Sequence, residues 1–333
     1  MNNLNPKKLS VSIIGAGIAG LSCATQLQAL GFQVHIYEKS YGPSGRMSTR
    51  DKNGWSADHG AQYFTARDPL FIEELNTWIK ADVAALWNPH LKVFQANQWK
   101  ESTSQENRYV GSPAMNSPGK YLAKNLAIEF NQTVDRITHQ NSKWLLHTLE
   151  NHDIERQFDW LVLALPAQQT YTLTKSIDKS IEAISAQVNM QGCWTVMAQF
   201  TQKPTVDFDA AFINDEIISW ICRNNSKPGR TGQESWTIHA NPEWSQQRIE
   251  LDKDEAAKLI LDCSKNLGFD CDDAVISTHR WRYASGFLKS IPGFRLNTDL
   301  KLGLCGDWLN GGRVEGAWLS GHKLASQISK ALD

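Results

Sequence analysis

Three glycines set between a short apolar run and a helical pattern constrain this chain more than any other feature. Residues 9–14 (LSVSII) read as a buried strand, and Gly15-Ala-Gly-Ile-Ala-Gly20 follows directly. Apolar spacing from Ile18 to Leu30 predicts a helix, stopped by Gly31. Residues 32–37 (FQVHIY) predict a second strand, ending at Glu38, 18 positions beyond the last glycine. Each glycine has its own task. Gly15 permits a tight turn, Gly17 lets backbone N–H groups approach a pyrophosphate, and Gly20 brings helix and strand into contact. The positive end of the helix dipole favours phosphates there, and Glu38 can accept both hydroxyls of an adenosine ribose while repelling a 2′-phosphate. A lone glycine triad is weak evidence; this one carries strand, helix and acid in the required order.

The rest of the chain suggests two interleaved domains. A length of 333 residues exceeds what one simple core usually serves. Helical patterns follow at residues 69–85 and 118–129, after a polar, glycine-rich loop over 39–57. Strand patterns follow at 133–137, 144–148 and 160–165, then at 194–200, 217–223 and 235–239. A helix near 254–267, a buried strand at 300–305 and a final helix over 314–331 complete the reading. The expected fold class is α/β: a Rossmann-like dinucleotide domain from residues 1–66, 115–168 and 298–333, with an inserted α+β substrate domain from 67–114 and 169–297.

Charge and cysteine usage narrow the partners. Lys and Arg total 34 against 35 Asp and Glu, a net charge of −1, so no global field draws nucleic acid or an anionic membrane. A small molecule is the expected partner. The six cysteines form no CxxC and no zinc spacing, which suits reduced thiols and no bound metal. No secretory pattern and no apolar run of membrane length is present, so the cytoplasm is the expected compartment. The 13 tryptophans suit core packing or an aromatic pocket for a flat ring.

The triad alone serves FAD and NAD equally, and downstream residues decide between them. Arg46, in Gly42-Pro-Ser-Gly-Arg-Met47, can neutralise a pyrophosphate, or lie solvated on the surface. Near the carboxyl end, Leu304-Cys-Gly-Asp-Trp-Leu-Asn-Gly-Gly-Arg-Val-Glu-Gly-Ala317 puts Asp307 after a strand and a glycine pair before a helix. Asp307 can bond a ribityl chain. A helix starting at Val314 can face the flavin pyrimidine, where reduced flavin carries negative charge. NAD enzymes have no use for that element, so FAD is the expected cofactor.

These residues resemble the flavin amine-oxidase-like superfamily, and within it the bacterial renalases. The matching stretches are Ile13-Ile-Gly-Ala-Gly-Ile-Ala-Gly-Leu21, Ser44-Gly-Arg-Met47, Asp58-His-Gly-Ala-Gln-Tyr-Phe-Thr-Ala-Arg67, His279-Arg-Trp-Arg-Tyr-Ala284, Gly306-Asp-Trp308 and Gly311-Gly-Arg-Val-Glu-Gly-Ala-Trp-Leu-Ser-Gly321. The resemblance implies a noncovalent FAD and a fold like p-hydroxybenzoate hydroxylase. It implies oxidation of 2-dihydro (or 6-dihydro) isomers of NAD(P)H to NAD(P)+, with O2 reoxidising the flavin to give H2O2. By motif, Gly15, Gly17, Ala19, Gly20, Glu38, Lys39, Arg46, Gln62, Tyr63, Asp307 and Val314 would bind FAD, with Val134 or Ile137 beside the adenine. Tyr63, Phe64, Thr65, Ala66, Arg67 and Arg313 would line the substrate side. The chain departs from the pattern at Pro43-Ser44-Gly45, usually a double glycine, and at His59, usually apolar.

Hydride loss from a dihydronicotinamide needs orientation more than acid–base work, because the ring nitrogen's lone pair already activates it. That fits a chain with no catalytic carboxylate pair and no Ser/His/Asp order. His239, Trp281 and Tyr283 are the catalytic candidates, with His279 also near the expected pocket. The histidines can equally be structural, and the two aromatic rings can stack on substrate or pack the domain junction. Two alternatives stand beside this reading: an FAD-dependent amine oxidase, and a flavin redox sensor without turnover.

Overall fold

A computed structural model describes residues 9–52, 54–288 and 292–332. Met1–Lys8, read above as lacking a secretory signal, lie outside the described residues.

The first sheet grows from the glycine-triad unit. Strand Ser10–Ile14 pairs in parallel with Gln33–Glu38 on one side and Trp160–Leu163 on the other. The order then runs from Phe294–Asn297 through Leu302–Cys305, Trp160–Leu163, Ser10–Ile14 and Gln33–Glu38 to Ala127–Phe130. Only the Phe294–Asn297 edge is antiparallel. Such a sheet is covered on both faces, which is why its strands are apolar nearly throughout. Val11, Ile13, Val162 and Cys305 join one buried cluster with helices Ile18–Ala29 and Val314–Lys330. Ile14, Leu161, Leu163, Leu302 and Leu304 join another, with helices Ala167–Thr174 and Lys179–Ala186 and the three-stranded sheet of Val134–Gln140, Lys143–Thr148 and His152–Asp153. The two helices of the first face meet backbone to backbone: a Cβ on Gly321 would collide with the Ala19 carbonyl oxygen. Leu324 and Ile328 then reach full burial, and Leu324→Ala would cost about 2–5 kcal/mol.

The second sheet has seven strands, ordered Val275–Ser285, Gln191–Phe200, Glu234–Ala240, Ile218–Arg223, Ala210–Ile213, Leu91–Gln95 and Gln98–Glu101. All its pairs are antiparallel except Ala210–Ile213 with Leu91–Gln95. Helix Lys253–Asn266 contributes Ala256, Ala257 and Ile260 to this sheet's apolar cluster. Together the two sheets give the α/β architecture expected of a dinucleotide domain with an inserted substrate domain.

Several boundaries differ from expectation. The helix expected over 69–85 is Pro69–Lys80; Asp82, at φ 56°, ends it, and Ala84–Trp87 becomes a strand paired with Arg108–Gly111. The pattern over 118–129 splits into helix Ser117–Ala123 and edge strand Ala127–Phe130. The expected loop over 39–57 holds a hairpin, Thr49–Lys52 with Trp55–Asp58. The final dinucleotide segment starts before 298, because strand Phe294–Asn297 belongs to the first sheet. Among the described residues no helix is long and apolar enough to cross a membrane. The six cysteines are free thiols, five of them buried.

Candidate cofactor and substrate site

The nucleotide cradle is built by backbone that tolerates no side chain. Gly15 sits at φ 105°, and a Cβ there would run into the Ala164 carbonyl. A Cβ on Gly20 would strike the Gly15 carbonyl, whereas over Gly17 the space is open. Helix Ile18–Ala29 starts at Gly17 with no side-chain cap, leaving its first N–H groups to a ligand. Glu38, buried at the strand end, accepts the Ala16 N–H at 2.7 Å and the Ser40 N–H at 2.8 Å. Its remaining lone pairs can still serve a ribose. Lys39, beside it, is exposed.

The carboxyl-terminal element joins this cradle through one ion pair. Arg46 binds Asp307 with both nitrogens, at 3.0 and 2.5 Å, and donates to the Ala284 carbonyl at 3.2 Å. The Asp307 carbonyl in turn accepts the N–H groups of Asn310 and Gly312, both at 2.8 Å. Gly311 and Gly312 take φ of 83° and 71°, which steers the chain into helix Val314–Lys330. That helix also begins without a side-chain cap. Two uncapped helix starts, a paired arginine and a glycine cradle form a donor set suited to a diphosphate joined to an electron-rich ring. FAD fits those residues. Val134 and Ile137 are both buried in the cluster that holds Tyr37, beneath the end of the Glu38 strand.

Behind the cradle lies a buried ionic cluster that reading the sequence missed. Asp58 is fully buried and accepts from Lys227 Nζ at 3.0 Å and Arg230 at 2.6 Å. Its other oxygen accepts the Thr49 hydroxyl at 2.6 Å and the Met115 N–H at 3.2 Å. Burial would raise this carboxyl, but Lys227 and Arg230 overcome it and hold Asp58 well below the usual carboxylate range. Gln62 donates from its amide nitrogen to the Asp58 carbonyl at 2.6 Å and the Gly60 carbonyl at 3.1 Å, and accepts from Lys227 at 3.2 Å. No local motif announces this cluster: Arg230 lies 172 positions from Asp58.

Next to it stands a neutral stack. His59 lies over Trp281 with ring centroids 5.3 Å apart and planes at 21°, while His279 meets His59 edge-on at 4.8 Å. The Trp281 indole N–H donates to the His59 carbonyl at 2.8 Å. Burial, then the neighbouring His279 and Arg50, push His59 down to about 3. Burial pushes His239 down to about 4, and burial with Arg50 does the same to His279. All three rings are neutral near pH 7. The His239 Nε2 lies 3.3 Å from the His59 carbonyl.

The remaining expected site residues divide into those that gather here and those that do not. Tyr63 packs among Trp87, Trp220 and the Arg108 guanidinium, with ring distances of 6.4 and 5.7 Å and a cation distance of 5.3 Å. Phe64 is a core residue, boxed in by Phe71, Trp78 and Tyr109 and 4% exposed, so its ring lines no open surface. The alternation of a short extended segment explains this: Phe64 pairs with Tyr109 and turns inward between its neighbours. The Thr65 hydroxyl accepts from Arg67, and Ala66 packs half-buried on the core. Arg67 is exposed and ion-paired with Glu106. Arg313 is exposed at the start of the last helix and makes no ion pair among the described residues. Tyr283 packs half-buried against the Met190, Trp308 and Leu309 cluster, at the junction of the two sheets.

The comparisons with known proteins bear on this arrangement. A family profile for an NAD(P)-binding Rossmann-like domain matches residues 13–73, and one for flavin containing amine oxidoreductases matches residues 79–329. Among curated proteins, a 1-hydroxycarotenoid 3,4-desaturase of a Flavobacterium species is 35% identical over 95 residues, covering 28% of this chain and 19% of that protein. An L-amino-acid oxidase of Crotalus adamanteus is 27% identical over 154 residues, covering 44% and 29%. The matches thus span less than a third of those relatives. Among solved structures, a putative protoporphyrinogen oxidase from an Exiguobacterium species superposes with a TM-score of 0.78 at 11% identity, over 97% of this chain and 99% of that one. Cyclohexylamine oxidase from Brevibacterium oxydans gives 0.74 at 14%, over 98% and 99%. These two share the fold. The flavin profile covers most of the chain, and its carboxyl-terminal part contains Asp307 and Val314: the chain belongs to the flavin-containing amine oxidoreductase family, and its cofactor is FAD.

Proposed function

We propose that this protein is an FAD-dependent oxidase that takes hydride from isomeric dihydronicotinamide dinucleotides, the 2-dihydro form first and the 6-dihydro form second, and releases NAD(P)+. The observation that carries this reading is the neutral His59–Trp281 stack beside the cradle. Bound FAD supplies the hydride acceptor, noncovalently held, and O2 takes the electron pair away as H2O2. The protein's own work is then binding and exclusion of water. Trp281 and Tyr63 offer flat apolar faces to a pyridine ring. His239, neutral above about pH 4, can hydrogen-bond a carboxamide without adding charge. Arg313 and Arg67 stand exposed where substrate phosphates could pair with them, Arg67 by exchanging its Glu106 partner. No side chain has to move a proton, since the ring nitrogen's lone pair drives the hydride out. Six free thiols suit work in the reducing cytoplasm.

A second reading has its own support. The family includes amine oxidoreductases, and the half-buried Tyr63 ring could pack against a neutral amine. Anaerobic rapid mixing separates the two. The 2-dihydro isomer of NAD should bleach the flavin within seconds, and simple primary amines should leave it oxidised. Bleaching only by amines, or only by ordinary NADH, would overturn the dihydronicotinamide reading.

A further inference from the structure

The Asp58 cluster is unbalanced. Lys227, with a side chain 0% exposed, and Arg230, 2% exposed, share one carboxylate. A second buried cation on an already paired carboxylate costs desolvation without a matching counter-charge. Arg230 also donates to the Gly111 and Pro228 carbonyls, and the pair of cations leaves one unit of positive charge in excess over Asp58.

Besides its pair with Asp58, the Lys227 ammonium lies 5.6 Å from the Trp87 ring centroid and donates to the Gln62 amide oxygen at 3.2 Å. An ammonium is a donor only and the Asp58 and Gly60 carbonyls are acceptors only, so the Gln62 amide has a single satisfied orientation. Gln62 is one residue from Ala61, whose N–H donates to the Arg46 carbonyl at 2.9 Å, and Arg46 holds Asp307 in the cradle. The excess positive charge therefore sits one hydrogen bond from Gln62 and a second from the Arg46 backbone, in a buried region with little water to screen it.

We propose that Lys227 is a positioning residue of the flavin site, locking the Gln62 amide and, together with Arg230, supplying buried positive charge that favours the reduced, negatively charged cofactor over the oxidised one. The proposal rests on FAD lying against Gln62. It does not depend on which substrate delivers the hydride.

The test is the flavin midpoint potential of the holoprotein, measured by dye equilibration without any substrate. Lys227→Met should weaken binding of reduced FAD relative to oxidised FAD by about tenfold or more, a drop of about 30 mV for a two-electron couple. Lys227→Arg should restore most of it, which a purely steric role would not. Should Lys227→Met fail to bind FAD, Arg230→Gln removes the same unit of charge and should lower the potential likewise. A potential unchanged in a flavin-loaded Lys227→Met or Arg230→Gln variant overturns the proposal. Substrate specificity is read separately by the anaerobic mixing, so the two ideas fail independently.

Discussion

Asp58 and His59 are chain neighbours at the end of one hairpin, yet their side chains occupy opposite electrostatic worlds. Asp58 enters a knot of cations and hydrogen-bond donors that holds it ionised. His59 enters a sandwich of rings that holds it uncharged. The strand alternation that sends successive side chains to opposite faces makes this possible. One backbone thus serves two purposes. The charged side ties residues 49–62 to the loop at 224–230 and the segment at 111–115. The uncharged side packs His59 against Trp281 and His279.

The largest expected effect comes from breaking the charged side. Asp58→Asn strands Lys227 and Arg230 and should destabilise the holoprotein by about 3–5 kcal/mol; a denaturant midpoint shifted by less than 1 kcal/mol-equivalent would show that the knot holds little together. Acid attacks the other side. The unfolded histidines take protons near pH 6.5, while His59, His239 and His279 resist until about 3 to 4. In that window the unfolded chain binds more protons, so stability must fall as pH drops from about 6.5 towards about 4, by a few kcal/mol. Chemical denaturation at stepped pH checks the sign, and a flat profile would contradict neutral burial. The Asp58 contribution is present above the unfolded carboxylate range near 4 and is lost only below it, so the two sides should separate on one pH axis.

Trp281→Leu probes the stack itself. It removes the 2.8 Å indole bond and the ring face, and should cost about 1–3 kcal/mol of stability with roughly a tenfold loss in flavin reduction rate by substrate. An unchanged rate would place Trp281 at the junction only. The smallest change is Arg50→Gln, which loses a 2.9 Å bond to the Ser277 hydroxyl and should cost under about 1 kcal/mol. Because Arg50 helps to lower His279 and His59, both should titrate at higher pH in this variant, and the acid loss should shrink. Histidine proton shifts followed by NMR would read it.

The cradle was legible in the sequence because its constraint is local. Gly15, Gly17, Gly20 and Glu38 lie within one βαβ unit, and each spacing has a backbone reason. The flavin element was legible for the same cause, with Asp307, the glycine pair and the helix start inside one short run. Helix ends were less so: apolar spacing continues through Val83 to Ala85, and only the left-handed backbone at Asp82 breaks it. The ionic knot was hidden altogether. No motif marks Lys227 and Arg230, and only the tertiary fold carries them to Asp58. Phe64 was assigned to the substrate side by its motif, but the pairing with Tyr109 turned it inward.

The order of strands in the first sheet has a consequence for biogenesis. Ser10–Ile14 is made before both strands it sits between, around residues 33 and 160, and the face of helix Ile18–Ala29 awaits Gly321. The nucleotide half of the cradle can form while most of the chain is unmade; the Asp307 half arrives some three hundred residues later. Until that segment is made, helix Ile18–Ala29 keeps an uncovered apolar flank, and a complete flavin cradle must await it.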